Sequence, residues 1–147
     1  RAIVKQRAVC TFSGTKELAR TIEQVMPARI RAKRKIHPAT KVFQALRIAV
    51  NNEYDNLVAL LEQSVAILAS GGRIGIISFH SGEDRIVKWF FKKMAKGCEC
   101  PPEFPVCVCH KRPLLRIITE NPVIPSEEEI KENPRSRSAK LRFAEKL

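Results

Sequence analysis

Arg73-Ile-Gly-Ile-Ile-Ser-Phe79, continued by His80-Ser-Gly-Glu-Asp-Arg85, joins an apolar run to the densest cluster of reactive side chains in the 147-residue sequence. The run is too continuously apolar for an exposed strand, and predicts a central strand buried on both faces of a parallel sheet. The residues from His80 to Asp84 then lie at the carboxyl end of that strand, where open α/β sheets bind their ligands. An imidazole, a hydroxyl, two carboxylates and a guanidinium share one turn there. A purely structural reading is also open: Ser81 caps the next helix, Glu83 and Asp84 complement its dipole, and His80 fills a polar niche. No Ser-His-Asp triad follows, because geometry and not nearness in sequence defines one.

The neighbouring segments complete an α/β pattern without internal repeats. Ile86, Val87, Phe90 and Phe91 begin an amphipathic helix directly after the turn. Upstream, Phe43, Leu46, Val50, Tyr54, Leu57, Leu61, Val65 and Leu68 step by threes and fours until Gly71-Gly72. That spacing predicts one long helix, or two in series jointed near Asn51-Asn52. Leu18, Ile22, Val25 and Met26 predict a shorter helix that Pro27 ends. Downstream, residues 114–119 predict a strand, Ser126 with Glu129 a capping box, and residues 139–144 a last alternating strand. On the upstream helix, Gln44, Arg47 and Asn51 fall on one face, where two amides and a guanidinium fork suit a base edge or a phosphate; a solvated stripe is the plain alternative.

Composition narrows the partners. The chain carries a net charge of +12, and residues 1–41 alone hold eleven cations against two glutamates, a balance of +9. A basic block containing Arg31, Lys33, Arg34 and Lys35 beside a nearly balanced body predicts a polyanion, since neutralised phosphates release condensed counterions. Arg135, Arg137, Lys140 and Arg142, interleaved with Ser and Asn, suit phosphate contacts equally well, or are charges along a solvated strand edge. The longest charge-free stretch, residues 63–72, is far short of the ~18 apolar residues that a membrane helix needs. Residues 1–7 are too polar for a signal peptide and read as the continuation of a longer chain.

Of five cysteines, Cys98, Cys100, Cys107 and Cys109 lie within a dozen residues and Cys10 stands alone. An odd, clustered set argues against a disulfide scaffold and for a reducing cytoplasm. Four thiols, with His110 as a substitute ligand, could hold zinc tetrahedrally, although C-x-C is tighter than the usual knuckle; reduced thiols in a Pro-stiffened loop at 97–113 are the other reading.

Four ordered blocks then resemble one family. They are Ile36-His-Pro-Ala-Thr-Lys-Val-Phe-Gln-Ala-Leu-Arg-Ile-Ala-Val-Asn-Asn-Glu53; Gly71-Gly-Arg-Ile-Gly-Ile-Ile-Ser-Phe-His-Ser81 with Glu83-Asp-Arg-Ile-Val-Lys88; Pro125-Ser-Glu-Glu-Glu-Ile130; and Asn133-Pro-Arg-Ser-Arg-Ser-Ala-Lys-Leu-Arg142. Together they resemble the carboxyl half of the bacterial MraW/RsmH family, S-adenosylmethionine-dependent 16S rRNA cytosine-N4 methyltransferases. Gly82 departs from the family's Leu and is expected to loosen the turn. The resemblance implies the carboxyl part of a Rossmann-like class I methyltransferase fold over residues 35–147, preceded at 1–34 by the end of an inserted helical substrate domain. The family's glycine-rich cofactor loop has no match here, so cofactor-binding residues are expected outside the chain, which alone should be inactive.

For the whole enzyme, the resemblance implies that Ser78, His80 and Ser81 line the target-base pocket and that Asp84 and Arg85 fix the loop. Gln44, Arg47, Asn51, the basic block, Arg135 and Arg137 would bind substrate. The partner would be 16S rRNA or the small ribosomal subunit, with a homodimer compatible and no membrane. The competing expectation is a non-enzymatic nucleic-acid module organised by zinc on the four cysteines.

Overall fold

The computed structural model describes residues 1–32, 36–98, 100, 101, 103–106 and 108–147, so Lys33, Arg34, Lys35 and Cys107 lie outside the described residues. The chain forms two compact units, Arg1–Glu53 and Tyr54–Leu147.

The first unit is helical. It contains α1 (Ala2–Val9), α2 (Thr15–Val25), α3 (Ala28–Ala32) and α4 (Thr40–Asn51). Ser13 donates from both its amide and its hydroxyl to the Glu17 carboxylate, at 2.9 and 3.0 Å, which secures the start of α2. Ile22 on α2 and Ala39 before α4 are its buried apolar residues among those described. Asn52 ends α4 in the left-handed region, at φ 50°, and its N–H bonds to Ile48 O. Asn tolerates that conformation because its short amide can bond locally. The predicted joint near Asn51-Asn52 is therefore a real break, and α5 (Glu53–Ile67) starts immediately after it.

The second unit packs α5 and α6 (Ser81–Ala95) on a three-stranded sheet. Its strands are β1 (Arg73–Ser78), β2 (Leu115–Ile117) and β3 (Lys140–Lys146), in the order β1-β3-β2. The last strand lies in the middle and runs antiparallel to both neighbours, so β1 and β2 are parallel to each other. This corrects the expected central, parallel strand at 73–79: among the described residues β1 is an edge strand in an antiparallel pair. Its burial alternates, with Ile74 and Ser78 buried and Ile77 58% exposed. An apolar run records the affinity of both faces for cover, but it does not encode which strand pairs alongside.

Leu61 and Val65 of α5, Val87, Phe90 and Phe91 of α6, Ile74, Leu115 and Ala144 form the core. Cross-strand register places Ile74 opposite Ala144, and Ala144 opposite Ile117, so three strands present one apolar row to the helices. On the other face Gly75 lies opposite Phe143, whose ring fills the space a side chain would take; a Cβ on Gly75 would meet Phe143 Cε1 at 2.4 Å. Gly71, at φ +78°, turns the chain from α5 into β1, and its N–H donates to Lys146 O at 2.8 Å. Lys146 Nζ then donates to Val65 O and Leu68 O, at 2.8 and 2.7 Å, placing a cation on the terminal carbonyls of α5.

Two short elements precede β3: α7 (Glu127–Glu132) and a 3-10 turn, Pro134–Ser138. Ser126 accepts from Glu129 N at 3.2 Å, the serine half of the predicted capping box.

Candidate functional site

The turn between β1 and α6 is held by an unusual cap. His80, not Ser81, is the N-cap residue: its Nδ1 accepts from Gly82 N at 3.2 Å and Glu83 N at 3.3 Å. Glu83 returns the interaction, accepting from Phe79 N at 2.9 Å and His80 N at 3.2 Å. These bonds satisfy amides that the first helical turn leaves unpaired. Because Nδ1 is an acceptor, the neutral imidazole carries its proton on Nε2. That Nε2 is buried and has no hydrogen-bond partner among the described residues; Glu83 Oε1 is 3.3 Å away but too far off line to accept. A buried unpaired donor costs about 1–3 kcal/mol, so a fold that keeps one holds an unused hydrogen bond at this point.

Tyr54 closes the turn from α5. Its ring lies 6.0 Å from that of His80, tilted by 53°. A Cβ on Gly82 would meet the Tyr54 hydroxyl at 2.1 Å, so the glycine makes room for Tyr54. Gly82 lies inside α6 without a positive φ, which replaces the expected loosening of the turn by a close contact. Ser81 is exposed at the first position of α6, whereas Ser78 is buried and donates to Lys140 O at 3.3 Å.

Asp84 and Arg142 lock the same turn to β3. Arg142 Nε donates to Asp84 Oδ1 at 2.7 Å and a terminal guanidinium nitrogen donates to Oδ2 at 3.3 Å, a two-point pair between buried side chains. Lys140 Nζ adds a contact at 3.5 Å. The Arg142 hydrogen bond, helped by its charge and that of Lys140, holds the Asp84 carboxyl below its ordinary pKa against the opposing effect of burial. Asp84 therefore fixes the turn, as expected, while Arg85 is exposed. Of the four cations in the last basic segment, Arg142 is used internally and Lys140 is half-buried beside Asp84; Arg135 and Arg137 are exposed on the 3-10 turn.

In the first unit, two of the three stripe residues converge on one carboxylate. Arg47 Nε is 2.7 Å from Glu53 Oε1 and a terminal nitrogen donates to Oε2 at 3.0 Å; Asn51 Nδ2 donates to Oε1 at 3.4 Å. Gln44 is half-buried one turn earlier. Glu53 went unassigned in the sequence reading because it lies off the 44-47-51 spacing, past the break at Asn52. Arg31 is exposed on α3. Lys33, Arg34 and Lys35 carry expectations that fall outside the described residues.

A second feature escaped the sequence reading. Trp89, 67% exposed, lies with Val58, Ile86 and Phe90 in an apolar groove of about 740 Å³ rimmed by Arg85, Lys92, Lys93 and Lys96. Its signal was present as cations three, four and seven residues apart on α6.

No helix among the described residues is long and apolar enough to cross a membrane. The sequence profile of the MraW methylase family matches residues 1–147. The chain is 53% identical to the ribosomal RNA small subunit methyltransferase H of Treponema denticola over 145 residues, covering 99% of this chain and 46% of the relative. It is 53% identical to the protein of that name from Carboxydothermus hydrogenoformans over 147 residues, covering 100% and 47%. With the one from Dehalococcoides mccartyi the identity is 52% over 147 residues, covering 100% and 40%. The chain thus spans about half the length of the curated relatives it matches.

Proposed function

The chain belongs to the MraW methylase family, and from that premise we propose that it is the substrate-facing, carboxyl part of an S-adenosylmethionine-dependent methyltransferase acting on the exocyclic N4 amine of a cytidine in 16S rRNA. The observation that carries this reading is the His80 turn: a rigid cap at the carboxyl end of β1 with one polar hydrogen left over. Residues 35–147 are read as the last strands and helices of a Rossmann-like sheet and residues 1–34 as the end of an inserted helical domain. Two parallel strands joined through α6, with β3 inserted between them, suit a mixed doubly wound sheet. Ile77 and Phe79, exposed at 58% and 56%, suit a second covering layer.

The residues present do not fit the cofactor. A dinucleotide-type cradle needs glycines between a strand and a helix, open to the ligand. Here Gly72 lies against Ala69 O, Gly75 under the Phe143 ring and Gly82 against Tyr54. Cofactor binding is assigned to the remainder of the protein, and no step is derived through it.

What these residues do is hold the base. The amine nitrogen of cytosine is a weak nucleophile, its lone pair delocalised into the ring, so the rate depends on placing it within ~3–3.5 Å of its electrophile. With Nδ1 committed to the cap, His80 has only Nε2–H to give, and no free lone pair is left for removing the amine proton. That atom is buried beside Glu83 in this chain, so the turn must open in the RNA complex for Nε2–H to donate to the O2 or N3 acceptor of cytosine. Ser81 contributes an exposed hydroxyl beside it, and Ser78 positions the turn through Lys140 O. Gln44, Arg47 and Asn51 are assigned to RNA on α4, with Arg31, Lys33, Arg34, Lys35, Arg135 and Arg137 on phosphates. A homodimer remains compatible, and a cytoplasmic location follows from an rRNA substrate.

The competing non-enzymatic module has less support, because the family match covers the whole chain and not the cysteine loop alone. The test has two arms. A full-length protein containing this chain should transfer methyl to a cytidine N4 in small-subunit rRNA. The 147-residue chain alone should give no saturable heat with S-adenosylmethionine in isothermal titration; micromolar binding would overturn the division of labour.

A further inference from the structure

From the geometry of the loop at residues 97–113 we infer a structural zinc site on Cys98, Cys100 and Cys109, independent of the methyl-transfer reading. The ligand atoms of these three cysteines all lie within 4.8 Å of one another, and each residue is half-buried. Cys98 Sγ and Cys109 Sγ are 3.8 Å apart. In a tetrahedral thiolate site with Zn–S bonds of about 2.3 Å, adjacent sulfurs are separated by about 3.8 Å. A disulfide would need about 2.05 Å. The Cys98 and Cys109 sulfurs therefore already stand at the edge length of a zinc tetrahedron, with the Cys100 sulfur within 4.8 Å of both.

Two further features belong to such a site. The Cys100 backbone N–H donates to Cys98 Sγ at 3.4 Å, the kind of outer-shell hydrogen bond that steadies a metal-bound thiolate and lowers its charge. Lys96, Lys111 and Arg112 lie in or beside the loop, and their positive charge offsets the net negative charge of a zinc with three or four thiolates. For the fourth position the sequence supplies Cys107, two residues before Cys109 as Cys98 is two before Cys100, or His110.

Beyond the cysteines, the described residues of the loop show one backbone turn, Phe104 N donating to Pro101 O at 3.1 Å. The ends of the loop meet: Leu114 N donates to Met94 O at 2.9 Å, and a Cβ on Gly97 would lie 2.9 Å from Pro113 Cδ. Between those ends the described residues form no helix or strand, and Phe104, Val106 and Val108 are exposed instead of packed inward. Loops of this length without elements of their own are uncommon in compact domains. A metal replaces the missing core by tying the two C-x-C segments together, and its soft thiolate set selects zinc over magnesium or calcium. With Cys107 or His110 as fourth ligand the site is closed to substrate, so the metal organises the loop and takes no part in chemistry.

The test uses the full-length protein, purified without a histidine tag under reducing conditions from cells grown with zinc. Mass spectrometry of the metal should find stoichiometric zinc, retained in Cys10→Ser and lost in Cys98→Ser and Cys109→Ser. Replacing zinc by cobalt(II) in the unmutated protein should produce the visible absorption of a tetrahedral thiolate complex, a readout that does not depend on any variant folding. Protein without zinc and without that spectrum would overturn the site, as would full zinc retention in both serine variants. A Cys98–Cys109 disulfide found by alkylation mapping of the native protein would also overturn it.

Discussion

At the start of α6 the carboxylates are consumed by the fold, while on α3 and the 3-10 turn the cations are left at the surface. Asp84 takes up Arg142 and Lys140, and Glu83 takes up the amides of Phe79 and His80. Arg29, Arg31, Arg135 and Arg137 are all exposed. The difference separates two meanings of charge in a basic protein. A buried pair specifies the position of a turn and is costly to break, whereas exposed cations contribute little to stability and are available to a polyanion. Arg137 and Arg142, five residues apart in one motif, stand on opposite sides of that division.

The sharpest break in the comparison is Arg142→Ala. It leaves Asp84 buried without its main partner and should destabilise a full-length protein by about 3–5 kcal/mol, read from denaturant unfolding. The pH dependence has a defined sign. Pairing lowers the folded-state pKa of Asp84 below its unfolded value, so the contribution is complete above about 3.9 and is lost as pH falls through the folded value. Unfolding of the parent protein should show that acid loss, and Arg142→Ala should show less of it. Equal acid profiles would mean that the pair does not govern the turn.

A smaller effect is expected away from charge altogether. Gly75→Ala brings a methyl group against the Phe143 ring and should cost about 1–3 kcal/mol in the same measurement. A neutral outcome would show that the ring moves freely and that the far face of the sheet is loosely packed.

Four helical stretches, α2, α4 with α5, α6 and α7, and the place of this turn were readable in the sequence because their signals are local; α1 and α3, without a marked apolar stripe, were not. Apolar spacing located α2 and the face of α6 that carries Phe90 and Phe91, and left one helix or two jointed near Asn51-Asn52 as alternatives, of which the structure has two. Strand order was not readable, since β3 enters between β1 and β2 from more than sixty residues downstream of Ser78, and nothing in either run names its partner. The same holds within the site. His80 and Asp84 stood out by density, but the roles of Tyr54 and Arg142 depend on contacts across the fold, and the purely structural reading gave the cap to Ser81 and a niche to His80, where His80 itself forms the cap. Glu53 was missed because the break at Asn52 shifts it out of the helical register that grouped Gln44, Arg47 and Asn51.

The smallest stability effect should accompany a visible binding effect. Replacing Arg31, Arg135 and Arg137 by Ala should change stability by less than about 0.5 kcal/mol per site. RNA affinity should fall similarly across sequences, and the salt dependence should flatten by about 0.7–0.9 per lost phosphate contact. An unchanged salt slope in filter binding would return these arginines to the class of merely solvated charge.

His80 is where the two kinds of group meet, one nitrogen consumed by the fold and the other left over. His80→Ala removes the cap and should cost about 0.5–2 kcal/mol, so it mixes both roles. His80→Asn supplies a side-chain oxygen to the same amides and removes only the Nε2 donor. Methyl transfer to small-subunit rRNA, measured on full-length parent and His80→Asn proteins of matched melting temperature, therefore tests the assignment most directly. The account predicts about a tenfold loss of turnover or more at unchanged stability, the worth of one hydrogen bond in the reacting complex; undiminished transfer by a well-folded His80→Asn protein would contradict it.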